Sequence, residues 1–524
     1  MRIIIKWLYD EIVMVRTHNV FIYGIMDGGL SLARAIQVGH NGMKLAGFVS
    51  PDPDYTTHYI MGKKVYPANL ELINVMKKAN ATALIVSPLQ RENFPNQTEL
   101  VDKLIENKIR IMMLPSAEEW TPDKQIGANQ IQDVDIEDLL PRDKIQVDMN
   151  AIGEMLTGKA ILITGAAGSI GSEMARQIVK YKPSKLILVD QAETPMHDVR
   201  RWMANYLSKL TTEQHGEPAS TPTLPTIKTI VGSISNPTHM EELFAEFRPE
   251  YVFHAAAYKH VPMMEDNPAM AIQNNVYGTR VIADLAVRYG TKKFVMISTD
   301  KAVNPTNVMG CSKRICEIYC QALNKALAEG QATGLKKVEG AEGSACQFIT
   351  TRFGNVLGSN GSVIPIFREQ IRKGGPLTVT HPDIIRFFML ISEACQLVLE
   401  AGTMGHGGEI FVFDMGKPVR IADLAKRMID LSGAHNVEIK YTGLRDGEKL
   451  FEEVLNDAEQ TVPTVHPKIK VAKVREYPYA QALANEEELL KLSYTYDDMT
   501  IVKKMKEIVP EYKSQQSKYE SLDK

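Results

Sequence analysis

Short runs of apolar residues alternate with longer amphipathic stretches along most of the chain. Near the N-terminus, four runs have the length of a buried strand: "VFIYG" at residues 20–24, "MKLAGFV", "ATALIVS" and "KIRIMML". Helical periodicity fills the stretches between them, and "DGGLSLARAI" begins a helix at a pair of glycines. Alternation of this kind predicts a small parallel α/β unit.

A second, longer series begins at "KAILITG", residues 159–165, and continues through "KLILVD", "TIKTIVGS", "YVFHAAA", "KFVMIST" and "CQFITTRFGNV". Six such strands separated by helices predict a doubly wound sheet. The predicted fold class is α/β, with two Rossmann-like doubly wound parallel-sheet domains, the second carrying a smaller substrate-binding lobe. Polar residues between the two series predict a connector at 116–150. It separates a degenerate Rossmann-like domain at 1–115 from a dinucleotide-binding domain at 151–524.

Two further segments have the composition of surface insertions: 211–226 is rich in Pro and Thr, and 328–345 is rich in Gly. The N-terminal residues 1–19 are too short and too charged for a signal peptide, and they suit an amphipathic contact helix. No run of 18 or more apolar residues occurs, so the sequence predicts no membrane span.

Composition narrows the class of protein. The chain has 524 residues, enough for two or three domains. Its 60 basic and 63 acidic residues nearly cancel, which argues against a nucleic-acid partner. The five cysteines are odd in number and form no Cys-x-x-Cys pair, so they indicate a reducing compartment. We expect a cytoplasmic protein, at the inner face of the cell membrane if segments absent from this chain anchor it.

The strongest local motif is "ILITGAAGSIGSEMARQI", a glycine-rich turn between an apolar strand and an amphipathic helix. Such a turn lets the backbone approach a pyrophosphate, and the helix N-terminus offers free N–H groups and a positive dipole end. The predicted contacts with the diphosphate are Gly165, Gly168, Ser169, Ile170 and Gly171.

The next strand supports a dinucleotide site. It ends in Asp190, followed by Gln191, and an acidic residue there accepts hydrogen bonds from an adenosine ribose and repels a 2′-phosphate. NAD is therefore the predicted cofactor, and no metal is expected. After the fourth strand, the small residues Ala255, Ala256 and Ala257 would let the cofactor pass close to the sheet.

The first unit has its own glycines, Gly24, Gly28 and Gly29, but no acidic residue ends its second strand. Asp52 and Asp54 come later, in a Pro-rich turn. Two interpretations stay open for this unit: a degenerate structural or regulatory domain, or an occupied nucleotide site.

Candidate reacting residues follow the strand "KFVMIST". Thr299 ends that strand beside the expected nicotinamide site, and Asp300 and Lys301 come directly after it. Met309 and Lys313 lie four residues apart on one face of the next helix. In short-chain dehydrogenase architecture the lysine at this spacing binds the nicotinamide ribose, whereas Met309 stands at the usual tyrosine position and cannot transfer a proton.

The motifs together resemble a known family. They are "ITGAAGSIGSE", "AAAYKHVPMME", "STDKAVNPTNVMG", "RFGNVLGSNGSVIPIF", "GGPLTVT", "RFFMLISEA" and "GLRDGEKLFEE". In this order they look like the nucleotide-sugar 4,6-dehydratases of polysaccharide biosynthesis, above all the long capsular type that acts on UDP-N-acetylglucosamine. The resemblance covers residues from about 136 to the C-terminus and, more loosely, the first unit. Members of this type carry methionine at the tyrosine position and usually begin with transmembrane helices.

The resemblance implies a reaction and its acid–base residues. Hydride leaves sugar C4 for NAD, a base removes the proton on C5, an acid protonates the departing C6 hydroxyl, and hydride returns to C6. Asp300 is implied as the acid and Lys301 as the base. These roles need a neutral lysine and a protonated aspartic acid. Burial shifts both pKa values in the required direction, whereas mutual ion pairing opposes the shift. The 4-hydroxyl proton could leave through Thr299 or through Lys313 and the ribose.

Substrate contacts are implied at further positions. Arginine forks suit phosphate oxygens, which favours Arg386 and Arg445 for the diphosphate. The other implied substrate contacts are Asn355 for the nucleotide or the diphosphate, Lys259 and Glu265 for the sugar, and Glu448 for uridine or for orienting Arg445.

The resemblance also implies a homo-oligomer and favours retention at C5. Two alternative functions remain: a UDP-sugar C4 epimerase or dehydrogenase, and a non-catalytic nucleotide-sugar-binding protein. The methionine at the tyrosine position argues against the former, and the retained Asp-Lys pair and ribose-binding lysine argue against the latter.

Overall fold

The computed structural model describes residues 18–38, 42–56, 58–114, 131–134, 136–139, 145–213, 224–341, 343, 345–434, 436–452 and 460–523. The chain forms two compact units. The first comprises the described part of residues 1–144 together with two later segments, Phe367–Leu377 and Asp423–Lys440. The second comprises Ile145–Ile366, Thr378–Ala422 and Tyr441–Lys524.

The first unit is built on a seven-stranded sheet. Its strands are β1 (His18–Tyr23), β2 (Met43–Ser50), β3 (Tyr59–Ile60), β4 (Lys63–Pro67), β5 (Ala81–Val86), β6 (Arg110–Met113) and β7 (Gln132–Asp133). Their order is β3-β4-β2-β1-β5-β6-β7, with antiparallel pairs only at the two edges. The helices in this part are Asp27–Val38, Glu71–Lys78 and Thr98–Glu106.

A nine-stranded sheet forms the centre of the second unit. Its strands are β8 (Ala160–Thr164), β9 (Lys185–Asp190), β10 (Thr226–Val231), β11 (Tyr251–His254), β12 (Lys293–Ile297), β13 (Gln347–Arg352), β18 (Ile410–Phe413), β21 (Gln460–Pro463) and β22 (Ile469–Lys473). Their order is β10-β9-β8-β11-β12-β13-β18-β22-β21. The first seven strands in this order are parallel, and β22 and β21 add antiparallel pairs at one edge.

Short strands and helices complete the chain. The short strands are β14 (Asn355–Val356), β15 (Leu377–Val379), β16 (Ile385–Arg386), β17 (Phe388–Met389), β19 (Val419–Arg420) and β20 (Ile439–Tyr441). The α-helices from residue 145 onward are Met149–Leu156, Ser169–Ile178, Glu193–Glu213, Pro237–Phe247, Val261–Asp266, Pro268–Met270, Gly278–Arg288, Val308–Ala328, Val363–Arg372, Ile391–Met404, Ile421–Ser432, Tyr479–Ser493 and Asp498–Ile508. A π-helical stretch covers Ala271–Tyr277.

Helices cover both faces of the nine-stranded sheet. One face packs against Pro237–Phe247, Gly278–Arg288, Val308–Ala328 and the two C-terminal helices. The other face packs against Met149–Leu156, Ser169–Ile178 and Ile391–Met404. Burial on both faces explains why these strands are continuous apolar runs. The strand order reverses between β8 and β11, and this switch point is where ligands of doubly wound sheets bind.

The structure confirms the predicted fold class. Each of the ten apolar runs named above forms a strand, and both large sheets have Rossmann-like strand order. The predicted contact helix at 1–19 lies almost wholly outside the described residues, as do most of the insertion at 211–226 and much of the connector. In the described part of the chain, no helix is long and apolar enough to cross a membrane.

Candidate active site

The glycine turn after β8 is packed so tightly that two of its residues must be glycine. Gly165 has φ +68°, and a Cβ there would lie 2.6 Å from the backbone nitrogen of Ala256. A Cβ on Gly171 would lie 2.1 Å from the carbonyl oxygen of Gly165. The turn is therefore pressed against the end of β11, at the switch point of the sheet.

The third glycine leaves room for a ligand. A Cβ on Gly168 would meet only the carbonyl oxygen of Gly165, at 3.2 Å. Gly168 caps the helix Ser169–Ile178 without a side-chain acceptor, so the N–H groups of Ser169 and Ile170 in its first turn are left for a ligand. This cradle fits a dinucleotide diphosphate.

Asp190 and Gln191 lie beside this turn at the end of β9. The carboxylate of Asp190 accepts hydrogen bonds from the backbone N–H groups of Ala167 at 3.0 Å and Ala192 at 2.9 Å. These bonds fix the carboxylate at the edge of the sheet, where its remaining lone pairs can accept from a ribose. Gln191 donates to the Tyr258 hydroxyl at 3.1 Å.

Ala255, Ala256 and Ala257 follow β11 and are half-buried. The N–H of Ala255 continues the sheet pairing by donating to the carbonyl oxygen of Thr164 at 3.1 Å. Their short side chains leave space at this edge of the sheet, next to the glycine turn.

Lys313 and Met309 lie near the start of the helix Val308–Ala328. The ammonium group of Lys313 donates to the carbonyl oxygen of Ile297, the last residue of β12, at 2.9 Å. Burial lowers the pKa of Lys313. Met309 is 4% exposed and belongs to the apolar core of this face.

Asp300 and Lys301 form a turn that begins two residues after β12 and is capped by Thr299. Asp300 is buried, and its Oδ1 accepts from the Thr299 hydroxyl at 2.9 Å and from Lys301 Nζ at 3.1 Å. Lys301 Nζ also donates to Asn355 Oδ1 at 3.2 Å. Four residues predicted from the sequence thus meet at the carboxyl edge of the sheet.

Sequence reasoning missed Glu452, which completes this cluster. Its side chain is 4% exposed, and its Oε1 lies 2.7 Å from Lys301 Nζ and 3.2 Å from Arg386 Nε. Its Oε2 accepts from Asn355 Nδ2 at 3.1 Å. The only sequence signal for Glu452 is its place at the end of "GLRDGEKLFE", a motif in which the resemblance implies a role for Glu448 instead.

The pKa values of the cluster depend on burial and on the neighbouring charges. Burial, followed by the charge of Glu452, raises the pKa of Asp300 to about 6, although Lys301 opposes the shift. Burial alone would lower the pKa of Lys301, but the charges of Asp300 and Glu452 outweigh it and raise this pKa. The pKa of Glu452 is lowered because Lys301 and Arg386 outweigh its burial. Asp300 therefore shifts in the direction that an acid needs, and Lys301 shifts in the opposite direction to that of a neutral base.

Arg386 and Glu448 hold the segment that carries Glu452. Arg386 donates to the carbonyl oxygens of Lys449 at 2.7 Å and Leu450 at 3.2 Å. Glu448 accepts from Arg386 at 3.3 Å and from the N–H of Arg445 at 3.1 Å. The side chain of Arg445 is exposed, so among these residues it presents the most accessible cation.

Lys259 and Glu265 are placed apart from each other. Lys259 Nζ donates to the carbonyl oxygen of Asn360 at 2.8 Å, beside the glycine turn. Glu265 is 4% exposed and accepts from the N–H of Val308 at 2.6 Å and from the Ser517 hydroxyl at 2.7 Å. Both Glu265 oxygens therefore serve structural contacts here, and its role toward a sugar stays a prediction.

A buried network of ion pairs contacts the chain at the end of β12. Glu317 is fully buried and accepts from Arg352 Nε at 2.8 Å, Arg352 Nη2 at 2.6 Å and Arg314 Nη1 at 3.1 Å. It also accepts from the hydroxyl of Ser298 at 2.7 Å, the residue before Thr299. The network ties Ser298, the residue after β12, to the helix Val308–Ala328. Among the described residues, no group of three or more His, Cys, Asp or Glu side chains is arranged to hold a metal.

Fold and site together define an α/β protein with a dinucleotide-type glycine turn and a buried acid–base cluster at the switch edge of its second sheet. The profile of the polysaccharide biosynthesis protein family matches residues 161–474. The chain therefore belongs to this family, which confirms the predicted resemblance at the level of polysaccharide biosynthesis proteins.

Individual relatives cover different shares of the chain. Capsular polysaccharide biosynthesis protein CapD of Staphylococcus aureus is 45% identical over 67% of this chain, which spans only 54% of that relative. A UDP-glucose 4-epimerase of Rickettsia canadensis is 33% identical over 58% of this chain and 80% of its own length. The X-ray structure of Pen from Bacillus thuringiensis is 28% identical, with a TM-score of 0.50, and covers 66% of this chain and 99% of its own.

Proposed function

We propose that the protein is an NAD-dependent 4,6-dehydratase of UDP-N-acetylglucosamine, retaining at C5, that produces the 4-keto-6-deoxy sugar nucleotide for surface polysaccharide or glycan synthesis. The observation that carries this proposal is the cluster of Thr299, Asp300, Lys301 and Glu452 at the switch edge of the sheet. Removal of water across C5 and C6 needs one proton donor and one acceptor side by side, and this cluster supplies both.

The residues around the glycine turn fit NAD. Gly168, Ser169 and Ile170 would hold its diphosphate, Asp190 its adenosine ribose, and Lys313 its nicotinamide ribose. When bound, NAD supplies the acceptor for the C4 hydride and returns that hydride to C6. The carboxylate of Asp190 disfavours the 2′-phosphate of NADP by charge repulsion.

The acid–base steps can be assigned to the cluster by proton balance. Lys301 takes the C5 proton and later returns it to C5, while Asp300 gives a proton to the C6 hydroxyl, which leaves as water. Asp300 is then short of one proton, and the substrate's 4-hydroxyl has lost one. The cycle closes when that 4-hydroxyl proton reaches Asp300, and the Thr299 hydroxyl, which donates to Asp300 Oδ1 at 2.9 Å, offers the route.

A protonated Asp300 also favours the role of Lys301. While both carboxylates are charged, they hold the proton on Lys301. Once Asp300 carries a proton, only Glu452 of the two remains as an anion beside Nζ, and the burial of Nζ then weighs more heavily toward the neutral amine.

The UDP-sugar is proposed from the family resemblance and from two features of the site. The exposed guanidinium of Arg445 suits a diphosphate, and Arg386 fixes the segment between Arg445 and Glu452. Asn355 bridges Lys301 and Glu452, so it would orient the cluster beside the sugar.

Mass spectrometry of the reaction tests this function. The chain is incubated with NAD and UDP-N-acetylglucosamine, and a product lighter by one water is expected. Asp300→Asn and Lys301→Met should each abolish this product while binding of UDP remains. An unchanged substrate in the presence of bound UDP-sugar would contradict the dehydratase assignment.

A UDP-sugar C4 epimerase is the second candidate, because a relative 33% identical to this chain carries that name. Its product would have the mass of the substrate and a changed configuration at C4. Against it stands Met309, which is buried in the apolar core and has no proton to exchange with a 4-hydroxyl.

A further inference from the structure

Asp300 has one oxygen whose environment does not suit a carboxylate. Its Oδ1 accepts two hydrogen bonds, whereas Oδ2 is buried and has no hydrogen-bond partner among the described residues. A buried charged oxygen without a donor is costly. The cost disappears if Oδ2 carries a proton and an acceptor lies beside it.

Glu452 is the acid placed to serve as this acceptor. Lys301 Nζ lies 3.1 Å from Asp300 Oδ1 and 2.7 Å from Glu452 Oε1, so the two carboxyl groups flank one amine, and the charge of Glu452 is among the causes that raise the pKa of Asp300. Glu452 receives donors from Lys301, Arg386 and Asn355, so its own charge is well stabilised. As pH rises, Glu452 therefore loses its proton first, and Asp300 holds its proton up to a pH near 6.

We propose that Glu452 shares a proton with Asp300 and holds Nζ of Lys301 in position, so that the three side chains act as one acid–base unit. Glu452 is thus a positioning residue that raises the protonated fraction of Asp300. The inference rests on the proposed dehydratase function for its catalytic meaning, but the shared proton is a property of the protein alone.

The charges around Asp300 determine the direction in which its pKa should move when Glu452 is replaced. Lys301 lies on the same turn, Glu452 faces it from the segment after Gly447, and Arg386 lies behind Glu452 on β16. Burial and the negative charge of Glu452 raise the pKa of Asp300, and Lys301 lowers it. Removing the charge of Glu452 leaves Lys301 to pair with Asp300 alone, so the pKa of Asp300 must fall.

Infrared difference spectroscopy of the ligand-free chain tests the shared proton directly. Because the pKa of a second buried acid, Asp284, is also raised to about 6, the band of Asp300 is taken as the difference between wild type and Asp300→Asn. This carbonyl band should disappear with a midpoint near pH 6 as pH is raised. Glu452→Gln should move the midpoint to lower pH, and Glu452→Asp should restore part of the shift. Glu511→Gln, which changes an acid paired with Arg314 outside the cluster, should leave it in place.

The catalytic consequence is large. If the pKa of Asp300 falls from about 6 to its ordinary value of about 3.9, its protonated fraction at neutral pH falls about 100-fold. Glu452→Gln should therefore lower the rate of water release by about 100-fold at neutral pH, with UDP-sugar affinity by calorimetry unchanged and partial recovery at lower pH.

The outcomes separate the two proposals. A wild-type midpoint in Glu452→Gln, or no titrating band that depends on Asp300, would overturn the shared proton whatever the enzyme does. A wild-type chain that shows the band and its Glu452 dependence but releases no water would overturn the dehydratase function and leave the shared proton standing.

Discussion

Replacement of Glu317 by alanine should be among the most destabilising single changes in the second unit. The substitution leaves two buried guanidinium groups, those of Arg352 at 1% and Arg314 at 3% exposure, without the carboxylate that joins them. It also removes the acceptor of the Ser298 hydroxyl. Breaking a buried ion pair by removing one partner costs about 3–5 kcal/mol, and we expect a loss in this range.

The assay is urea unfolding followed by circular dichroism, with amide exchange in the helix Val308–Ala328 reporting on the second unit. Asp198→Ala is the matched control, because its partner Arg201 lies 3.3 Å away but both side chains are 65% or more exposed. Such surface pairs contribute at most about 1 kcal/mol. Equal losses for the two variants, or a loss below about 1 kcal/mol for Glu317→Ala, would refute the reasoning.

The ion pairs of Glu317 with Arg352 and Arg314 also predict that the stability of the protein depends on pH. Despite burial, the charges of Arg352 and Arg314 hold the pKa of Glu317 below its ordinary value. A lowered pKa in the folded state contributes stability that is complete above the unfolded pKa and is lost as pH falls through the folded one. The difference in stability between wild type and Glu317→Ala should therefore shrink in acid, below the ordinary range of a glutamic acid. A difference that grows on acidification would contradict this assignment of charge.

The remaining predictions concern the cofactor cradle. Gly171→Ala should abolish NAD binding, measured by calorimetry, because its Cβ would lie 2.1 Å from the Gly165 carbonyl oxygen. In the control Gly153→Ala, the new Cβ lies in a helix at an ordinary contact distance of 3.8 Å from Tyr181, so this change should instead stabilise the fold by about 0.5–1 kcal/mol. Wild-type NAD affinity in Gly171→Ala would refute the cradle geometry. Lys313→Met should weaken NAD binding at least tenfold with little loss of UDP affinity, and an equal effect on both ligands would show that the lysine acts on the fold rather than on the ribose.

Features that depend on neighbouring residues could be predicted from the sequence, whereas features that depend on residues distant along the chain could not. Parallel strands buried on both faces are continuous apolar runs, so the run "KFVMIST" predicted β12 without reference to any other part of the chain. The pair Asp300 and Lys301 follows that strand directly, and its place at the sheet edge could be read locally. Glu452 comes from a segment with no periodic pattern, and only the folded chain brings it to Lys301.

The sequence also could not predict the direction of the Lys301 pKa shift or which later segments group with the first unit. The direction of the pKa shift of Lys301 depends on the number of carboxylates that surround it, and the second one was not visible in the pattern. Likewise, no signal indicated that Phe367–Leu377 and Asp423–Lys440 group with the first unit, because this grouping is a matter of tertiary packing. The domain limits drawn from composition stay predictions.

In the proposed reaction, hydride leaves C4 of the sugar and returns to C6 as water is lost. UDP-N-acetylglucosamine carrying deuterium at C4 tests this transfer, with the product analysed by NMR after incubation with the chain and NAD. We predict a 4-keto product that lacks one water and carries the deuterium at C6. Deuterium still at C4 of a sugar of unchanged mass, whether epimerised or not, would contradict it.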